Sequence, residues 1–348
     1  MINELVDGQR IYSGQFLLAD VKKGVTASSK KYLTILLQDA TGTIEGKKWD
    51  VLPEDEDIFV KGNVIAIDGE VLSYRDQLQM KILAGHPLPQ EGIEWSRFVP
   101  AAPVSLEVLK AKLDAYLDSI ADPDVAQIAR LMVKEFSNRF YSWPAAVRNH
   151  HNYVSGLLYH SITMADLALE VCRVYPSLNR DIVLAGTIIH DMGKTIELSG
   201  CQATSFTLEG KLLGHISLGQ AELRRIAKEN GYFAYDELPE GADEETKARL
   251  FKKKEIAVTL EHIILSHHSK PEFGSPLPPL TREALAVAMI DDFDAKMMIL
   301  DKAFVGVAKG DCTAKIFTMD ERYFYLPTYS VDHQDPGLSL DEQKEDLH

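Results

Sequence analysis

The sequence predicts a multidomain chain of mixed α and β structure, a small closed β-barrel followed by an all-α helical bundle. Three observations carry that prediction. Residues 1–85 hold a series of short apolar runs separated by turn residues, the pattern of a small all-β barrel. From Ser105 onward the apolar residues recur at helical spacing. Between the two, Gly85–Pro103 carries Pro87, Pro89, Pro100 and Pro103 and no clear period, as a linker does. The boundaries read as a barrel over 1–85, a linker over 86–104, a helical domain over 105–329 and an acidic tail over 330–348. A chain of 348 residues is long enough to bury two separate cores.

Taken in order, the predicted strands are Gln15–Val21, Tyr32–Gln38, Thr43–Trp49, Ile58–Lys61 with Val64–Ile67, and Leu78–Leu83. Gly24, Asp39–Gly42, Gly62-Asn63 and Asp68-Gly69 punctuate them. Leu33, Ile35 and Leu37 alternate with Tyr32, Thr34 and Leu36, as in a strand with one face to a core. Trp95 and Phe98 anchor part of the linker on a domain. Ser105 caps a helix running to about Ile120, and Asp122-Pro123 opens a second that ends near Arg139. Further helices are expected near 144–150, 152–174, 180–192, 214–229, 244–268 and 281–302, with Gly193 as a helix stop. The last stretch has six acidic residues against Lys344 and little apolar content, so it reads as disordered or loosely docked.

Composition narrows the function. The net charge of −15, from 37 basic and 52 acidic residues, speaks against a non-specific polyanion binder that uses its whole surface. It leaves local patches open. Cys172, Cys201 and Cys312 are scattered and form no CxxC, which argues against a disulfide framework or a finger-type zinc site and fits a reducing compartment. No stretch has signal-peptide character, and no apolar run approaches the roughly 18 residues of a membrane span. A cytoplasmic protein with no membrane partner is expected.

The chemistry concentrates on Ile188-Ile189-His190-Asp191-Met192-Gly193-Lys194. An imidazole and a carboxylate close an apolar run, so both are expected inside, where a carboxylate needs a partner. A metal ion is one such partner, and a core ion pair is the alternative. Eight of the 11 histidines lie between His150 and His268. His160 lies one helix before His190, His215 stands near a helix start, His267-His268 close an apolar helix, and Asp291 follows Ala286–Ile290. His150, His151 and His262 read as structural, with His151 also a candidate substrate contact. Ligands from facing helices converge in a bundle. His160, His190, Asp191 and Asp291 would give a mixed nitrogen and oxygen site suited to Mn²⁺, Fe²⁺, Mg²⁺ or Zn²⁺. His215 and one of His267 and His268 would serve a second ion, with Asp191 bridging.

Two resemblances follow. Leu33–Trp49 resembles strands two and three of nucleic-acid-binding OB-folds, with Tyr32 and Trp49 as stacking aromatics and Lys47-Lys48 beside them. Solvated edge protection is the alternative for the paired lysines, and residues 1–90 are mildly acidic, with 10 basic and 13 acidic side chains. The order His…His-Asp…Asp, with Arg148–His160, His190–Lys194, Leu208–His215, Leu265–Lys270 and Ile290–Lys296, resembles the HD superfamily of metal-dependent phosphohydrolases. Barrel and bundle together resemble the YhaM family of 3′-5′ exoribonucleases over nearly the whole chain.

That resemblance implies roles position by position. His160, His190, Asp191 and Asp291 match the core metal ligands, and His215 and His267 the second-metal ligands, with His268 able to exchange with His267. Asp191 and Lys194 match the catalytic pair, Lys194 facing a phosphate oxygen. Arg148, His151 and Lys270 would meet the substrate backbone in the bundle, and Tyr32, Trp49, Lys47 and Lys48 would meet it in the barrel. Ser269 stands where the family has Gly, at a position with no ligand role. The implied cofactors are two divalent ions, Mn²⁺ foremost, and the implied substrate is single-stranded RNA, with single-stranded DNA open. A homo-oligomeric ring is compatible with this domain pair. The competing readings are an HD phosphohydrolase of small nucleotides and a non-catalytic single-strand-binding replication accessory protein.

Overall fold

The computed structural model describes residues 1–330 except 27–28, 75–76, 92, 100–101, 146–153, 201–203 and 239. Most of the helix expected over 144–150, and the acidic tail from 331, lie outside the described residues. The chain divides into two compact units. One comprises Met1–Ala101 with Ser199–Ser205, the other Ala102–Leu198 with the described residues from Phe206 onward.

The first unit is a closed barrel of β1 (Arg10–Val25), β2 (Lys31–Asp39), β3 (Gly42–Trp49), β4 (Val64–Tyr74) and β5 (Gln77–Pro87), with the one-turn helix α1 (Asp55–Ile58) between β3 and β4. The strand order is β1-β2-β3-β5-β4, and β3 and β5 run parallel while every other neighbouring pair is antiparallel. This is an OB-type barrel. Leu33, Ile35 and Leu37 point into it with Leu18, Ile67, Val71 and Met80. The alternation along β2 that the sequence suggested is therefore the alternation of core and surface.

Two local expectations change. Ile58–Lys61 is not a strand but the end of α1 and the turn after it. Asp55 closes the turn leading into α1 by accepting the Leu52 backbone N–H at 2.8 Å, and Phe59, just after the helix, drops into the core. Asp68-Gly69 does not end β4. A bulge there lets the strand bend and continue to Tyr74. Gly69 is required at that point because a Cβ would come 2.9 Å from the Lys81 carbonyl oxygen.

The second unit holds α2 (Leu106–Asp118), α3 (Pro123–Phe140), α4 (Gly156–Val174), α5 (Arg180–Ile189), the one-turn α6 (Lys194–Glu197), α7 (Leu208–Glu229), α8 (Glu244–Ser266) and α9 (Arg282–Phe304). The starts are capped as side-chain oxygens dictate: Ser105, Asp122, Asn179, Thr207, Asp243 and Thr281 each accept a backbone N–H of the first turn. Beyond Phe304 the described chain has isolated bridges, Cys312 to Tyr325 and Ile316 to Arg322, and no long helix.

Helix α5 explains where the site lies. Every residue from Ile182 to Ile189 is buried, so the helix is apolar on all sides and packs among α3, α4, α8 and α9. Its C-terminal end therefore delivers His190 and Asp191 into the interior.

Candidate active site

The site is built from five helix ends and faces. α5 stops at His190, whose Nδ1 lies 2.7 Å from the Thr187 carbonyl oxygen, an acceptor left free at the helix end. Asp191 follows, and the chain turns into α6. Gly193 does not stop a helix by left-handed backbone: its φ is −58°. It is glycine because a Cβ would sit 2.0 Å from the carbonyl oxygen of His215, so α6 and α7 meet backbone to backbone. Gly214 is the residue with the unusual backbone, φ +71°, and it breaks α7 so that His215 opens a new helical segment. His267 and His268 follow the end of α8, with Nδ1 atoms 2.7 Å from the carbonyl oxygens of Ile264 and Phe273. Asp291 and Asp294 lie within α9, three residues apart and on one face. Asp291 thus sits mid-helix, where the apolar run before it ends but the helix does not.

These side chains converge on two groups. In one, ligand atoms of Asp191, His215, His267 and His268 all lie within 4.8 Å of one another; in the other, those of His160, His190 and Asp291 do. Asp191 faces both. Its Oδ1 is 3.4 Å from His215 Nε2 and 3.5 Å from His267 Nε2. Its Oδ2 is 3.4 Å from His190 Nε2 and 3.7 Å from His160 Nε2. His160 Nε2 lies 3.2 Å from Asp291 Oδ1. Lys194 Nζ donates to Asp191 Oδ2 at 2.6 Å.

All five imidazoles have a partner for Nδ1: a carbonyl oxygen for His190, His267 and His268, Asp294 for His160 at 2.7 Å, and Glu197 for His215 at 3.2 Å. Such partners fix the ring and leave Nε2 to face a metal. The Nε2 atoms of His190, His215 and His267 and Oδ1 of Asp191 are buried with no hydrogen-bond partner. Buried polar atoms are nearly always satisfied, so four orphans aimed at one space fit divalent cations. The mixed imidazole and carboxylate donors fit them too.

The electrostatics are those of a buried charge cluster. Burial disfavours the charged form of His160, but Asp291 and Asp294 on its two ring nitrogens outweigh it and hold the imidazole up at about 10. Burial pushes the carboxyl of Asp191 up, and Lys194, His190 and His267 more than reverse this, holding it well below the usual carboxylate range. Burial likewise works against the ammonium of Lys194, and Asp191 more than restores it. His267 and His268 are pushed down by burial, His268 to about 4, which keeps both neutral.

Of the residues singled out in the sequence, His160, His190, Asp191, Lys194, His215, His267, His268 and Asp291 come together here. Both His267 and His268 belong to one group. Lys270 is exposed, 3.4 Å from Glu272. Arg148 and His151 lie outside the described residues. In the barrel unit, Tyr32 and Trp49 pair across β2 and β3 with ring centroids 5.2 Å apart, and Lys47 stands over the Tyr32 ring. Lys48 is different: its side chain is only 12% exposed and lies 3.5 Å from Asp55. It stands in an ion pair that leaves it little exposed. Asp294 and Glu197 were not singled out. Asp294 had a signal, since a helix over 281–302 puts it on the face of Asp291. Glu197 had none, because its partner is 18 residues away.

Barrel and site together define an OB-type domain joined to an HD-type metal-dependent phosphohydrolase domain, and comparison with known proteins agrees. The HD domain family matches residues 157–296, the span from α4 to α9 that holds the eight clustered residues. The chain is 40% identical over 316 residues to the 3′-5′ exoribonuclease YhaM of Geobacillus sp. (strain WCH70), covering 90% of this chain and 91% of that one. It belongs to the YhaM 3′-5′ exoribonuclease family. Among solved structures, the second OB-fold domain of replication protein A from Methanococcus maripaludis aligns with 27% of this chain and 97% of its own, at 20% identity and a TM-score of 0.19.

Proposed function

We propose that this protein is a metal-dependent 3′-5′ exoribonuclease that shortens single-stranded RNA and releases nucleoside monophosphates. The observation that carries the reading is Asp191, a buried carboxylate whose two oxygens face two separate groups of ligand atoms. His160, His190, Asp191 and Asp291 would hold one divalent ion, and Asp191, His215, His267 and His268 the other. The mixed imidazole and carboxylate donors admit Mn²⁺, Fe²⁺, Zn²⁺ and Mg²⁺, and the resemblance puts Mn²⁺ first. Bound ions supply charge neutralisation at the scissile phosphate and acidify water. The chain's own residues do the rest. Asp191 fixes the two groups relative to each other. Lys194, held beside it, would offer a point charge to a non-bridging phosphate oxygen. Asp294 and the carbonyl oxygens of Thr187, Ile264 and Phe273 keep the imidazoles turned inward.

The barrel supports an RNA substrate over a small nucleotide, because Tyr32 and Trp49 form an outward aromatic pair on β2 and β3, with Lys47 beside it. Lys270 is accessible to a substrate phosphate. Cys172 and Cys312 are both free thiols, in keeping with a cytoplasmic enzyme. No helix among the described residues is long and apolar enough to cross a membrane.

The test is incubation of the purified protein with Mn²⁺ and a 5′-labelled single-stranded RNA, with EDTA and Asp191→Ala as controls. A ladder shortening from the 3′ end, absent in both controls, is the expected result. Intact RNA, or a ladder that survives in the Asp191→Ala variant, overturns the reading.

A further inference from the structure

Glu197 ends α6, and one of its oxygens meets the same residue twice. Oε1 accepts the backbone N–H of His215 at 3.0 Å and lies 3.2 Å from His215 Nδ1. The two contacts do different things. The N–H at the start of a helical segment has no partner in its own helix. α7 starts afresh at His215 because Gly214 breaks it, so Glu197 provides that partner from another element. The contact with Nδ1 sets the tautomer: the proton sits on Nδ1, and the Nε2 lone pair faces Asp191 Oδ1 at 3.4 Å.

Glu197 is itself held. Its carbonyl oxygen accepts the N–H of Thr207 at 2.9 Å, and Gly210 packs so closely that a Cβ there would come 2.2 Å from that oxygen. Its side chain is only 12% exposed. On the other side of the site Asp294 stands to His160 as Glu197 stands to His215. The remaining three imidazoles use neutral carbonyl oxygens. In each group of ligand atoms one imidazole thus has a carboxylate on Nδ1, Glu197 from α6 and Asp294 from α9.

We propose that Glu197 is the positioning residue of the Asp191–His215–His267–His268 group, acting on one ion and not the other. This rests on the reading that both groups hold divalent ions, and it adds a residue that is not itself a ligand. A carboxylate on Nδ1 fixes the direction of the ring. Loss of such a partner typically weakens metal binding about 10–100-fold.

The experiment is calorimetric titration of Mn²⁺ into full-length protein stripped with EDTA and dialysed, for the unaltered chain, Glu197→Ala, Glu197→Gln and Asp294→Asn. Thermal unfolding in EDTA is measured in parallel. Glu197→Ala is expected to weaken one of two binding events about 10–100-fold and leave the other unchanged. Glu197→Gln, which keeps an oxygen acceptor, is expected to lose less, and Asp294→Asn to weaken the event that Glu197→Ala spares. Two events unchanged in Glu197→Ala overturn the proposal. So do two events that fall together in step with a lower unfolding temperature, since Glu197 is then a helix cap and nothing more. A single binding event in the unaltered chain, indifferent to Glu197→Ala, also overturns it. The titration contains no RNA. Two ions bound, one lost in Glu197→Ala and RNA left intact would keep the positioning role and remove the exoribonuclease reading.

Discussion

Lys194 Nζ lies 2.6 Å from Asp191 Oδ2, and neither group reaches bulk water freely: the lysine side chain is 13% exposed and the aspartate 2%. Each neutralises the other's burial. Removing one partner of such a pair typically costs 3–5 kcal/mol, because the other charge is left inside alone. Asp191→Asn is therefore expected to lower the unfolding temperature in EDTA, and Lys194→Met added to it to recover much of the loss. A double-mutant cycle measures the coupling, and additive effects would show that the pair is not a stabilising contact.

The same 2.6 Å contact makes a kinetic prediction. An ammonium and a divalent ion compete for one carboxylate oxygen, so Lys194→Met should leave Mn²⁺ binding as tight as before or tighter. Turnover should fall, by about 100-fold if Lys194 donates to the phosphate in the transition state. Titration of Mn²⁺ and single-turnover kinetics on the same variant separate the two. Weaker binding with unchanged turnover at saturating Mn²⁺ would remove Lys194 from the chemistry.

On the barrel, Lys47 and Lys48 are neighbours that each meet a carboxylate, Glu45 at 3.2 Å and Asp55 at 3.5 Å, on opposite faces of β3. Successive residues of a strand point to opposite faces, so Lys47 lies outside over Tyr32 and Lys48 turns in toward Asp55. Trp49→Ala should weaken binding of long RNA by about 1–3 kcal/mol, the usual contribution of one aromatic stack. Its effect on dinucleotide hydrolysis should be small. Lys48→Ala should lower the barrel's stability and leave RNA affinity of the folded protein alone. Filter binding and thermal unfolding on the two variants check both statements.

How much of this was legible follows from distance along the chain. The run Ile182–Ile189 and the His190-Asp191 pair are local, so burial of one implied burial of the other. The set of clustered histidines was legible through their contexts at apolar run ends. Asp294 is 134 residues from the His160 ring it orients, and nothing short of the fold brings them together. Gly193 was misread because glycine after an apolar run usually marks a left-handed cap. Here the demand came from a second helix passing at backbone distance. Ile58–Lys61 failed for a different reason: three apolar residues and a lysine fit a strand and a helix end equally well, and only the Asp55 turn decides.

Glu261 on α8 gives a pH prediction away from the ligands. It is almost wholly buried, its Oε2 accepts from Arg224 at 2.5 Å, and its Oε1 has no hydrogen-bond partner. Burial raises its carboxyl above the usual range, and Arg224, pulling the other way, does not win. A carboxyl raised by folding binds protons better folded than unfolded, so it opposes folding once ionised. Stability from this group is full below the unfolded Glu value and is lost as pH rises through the raised one. Glu261→Gln should therefore stabilise the protein at pH 7, by about 1 kcal/mol given one unsatisfied buried atom. The gain should vanish toward pH 4. Unfolding curves at both pH values decide it, and a variant less stable at pH 7 would mean that the Arg224 pair outweighs burial.

The two glycines of the site separate strain from space. At Gly214 a side chain has room, the nearest atom to a Cβ being Glu197 Oε1 at 3.9 Å, but φ is +71°. Gly214→Ala should cost only backbone strain, about 1–3 kcal/mol, because φ +71° with ψ 157° is a region essentially restricted to glycine. Gly214→Asn should cost about as much, since Asn tolerates left-handed backbone with ψ of about +45° and not the ψ of 157° found here. At Gly193 the backbone is ordinary and the space is not: a Cβ would sit 2.0 Å from His215 O and 2.7 Å from Gly219 N. Both are backbone atoms that cannot swing aside, so Gly193→Ala must push α7 away from the Asp191 turn. It is expected to weaken Mn²⁺ binding through displaced His215, more than Gly214→Ala does. Equal effects of Ala at the two positions would mean that α6 and α7 do not approach as closely as their backbones indicate.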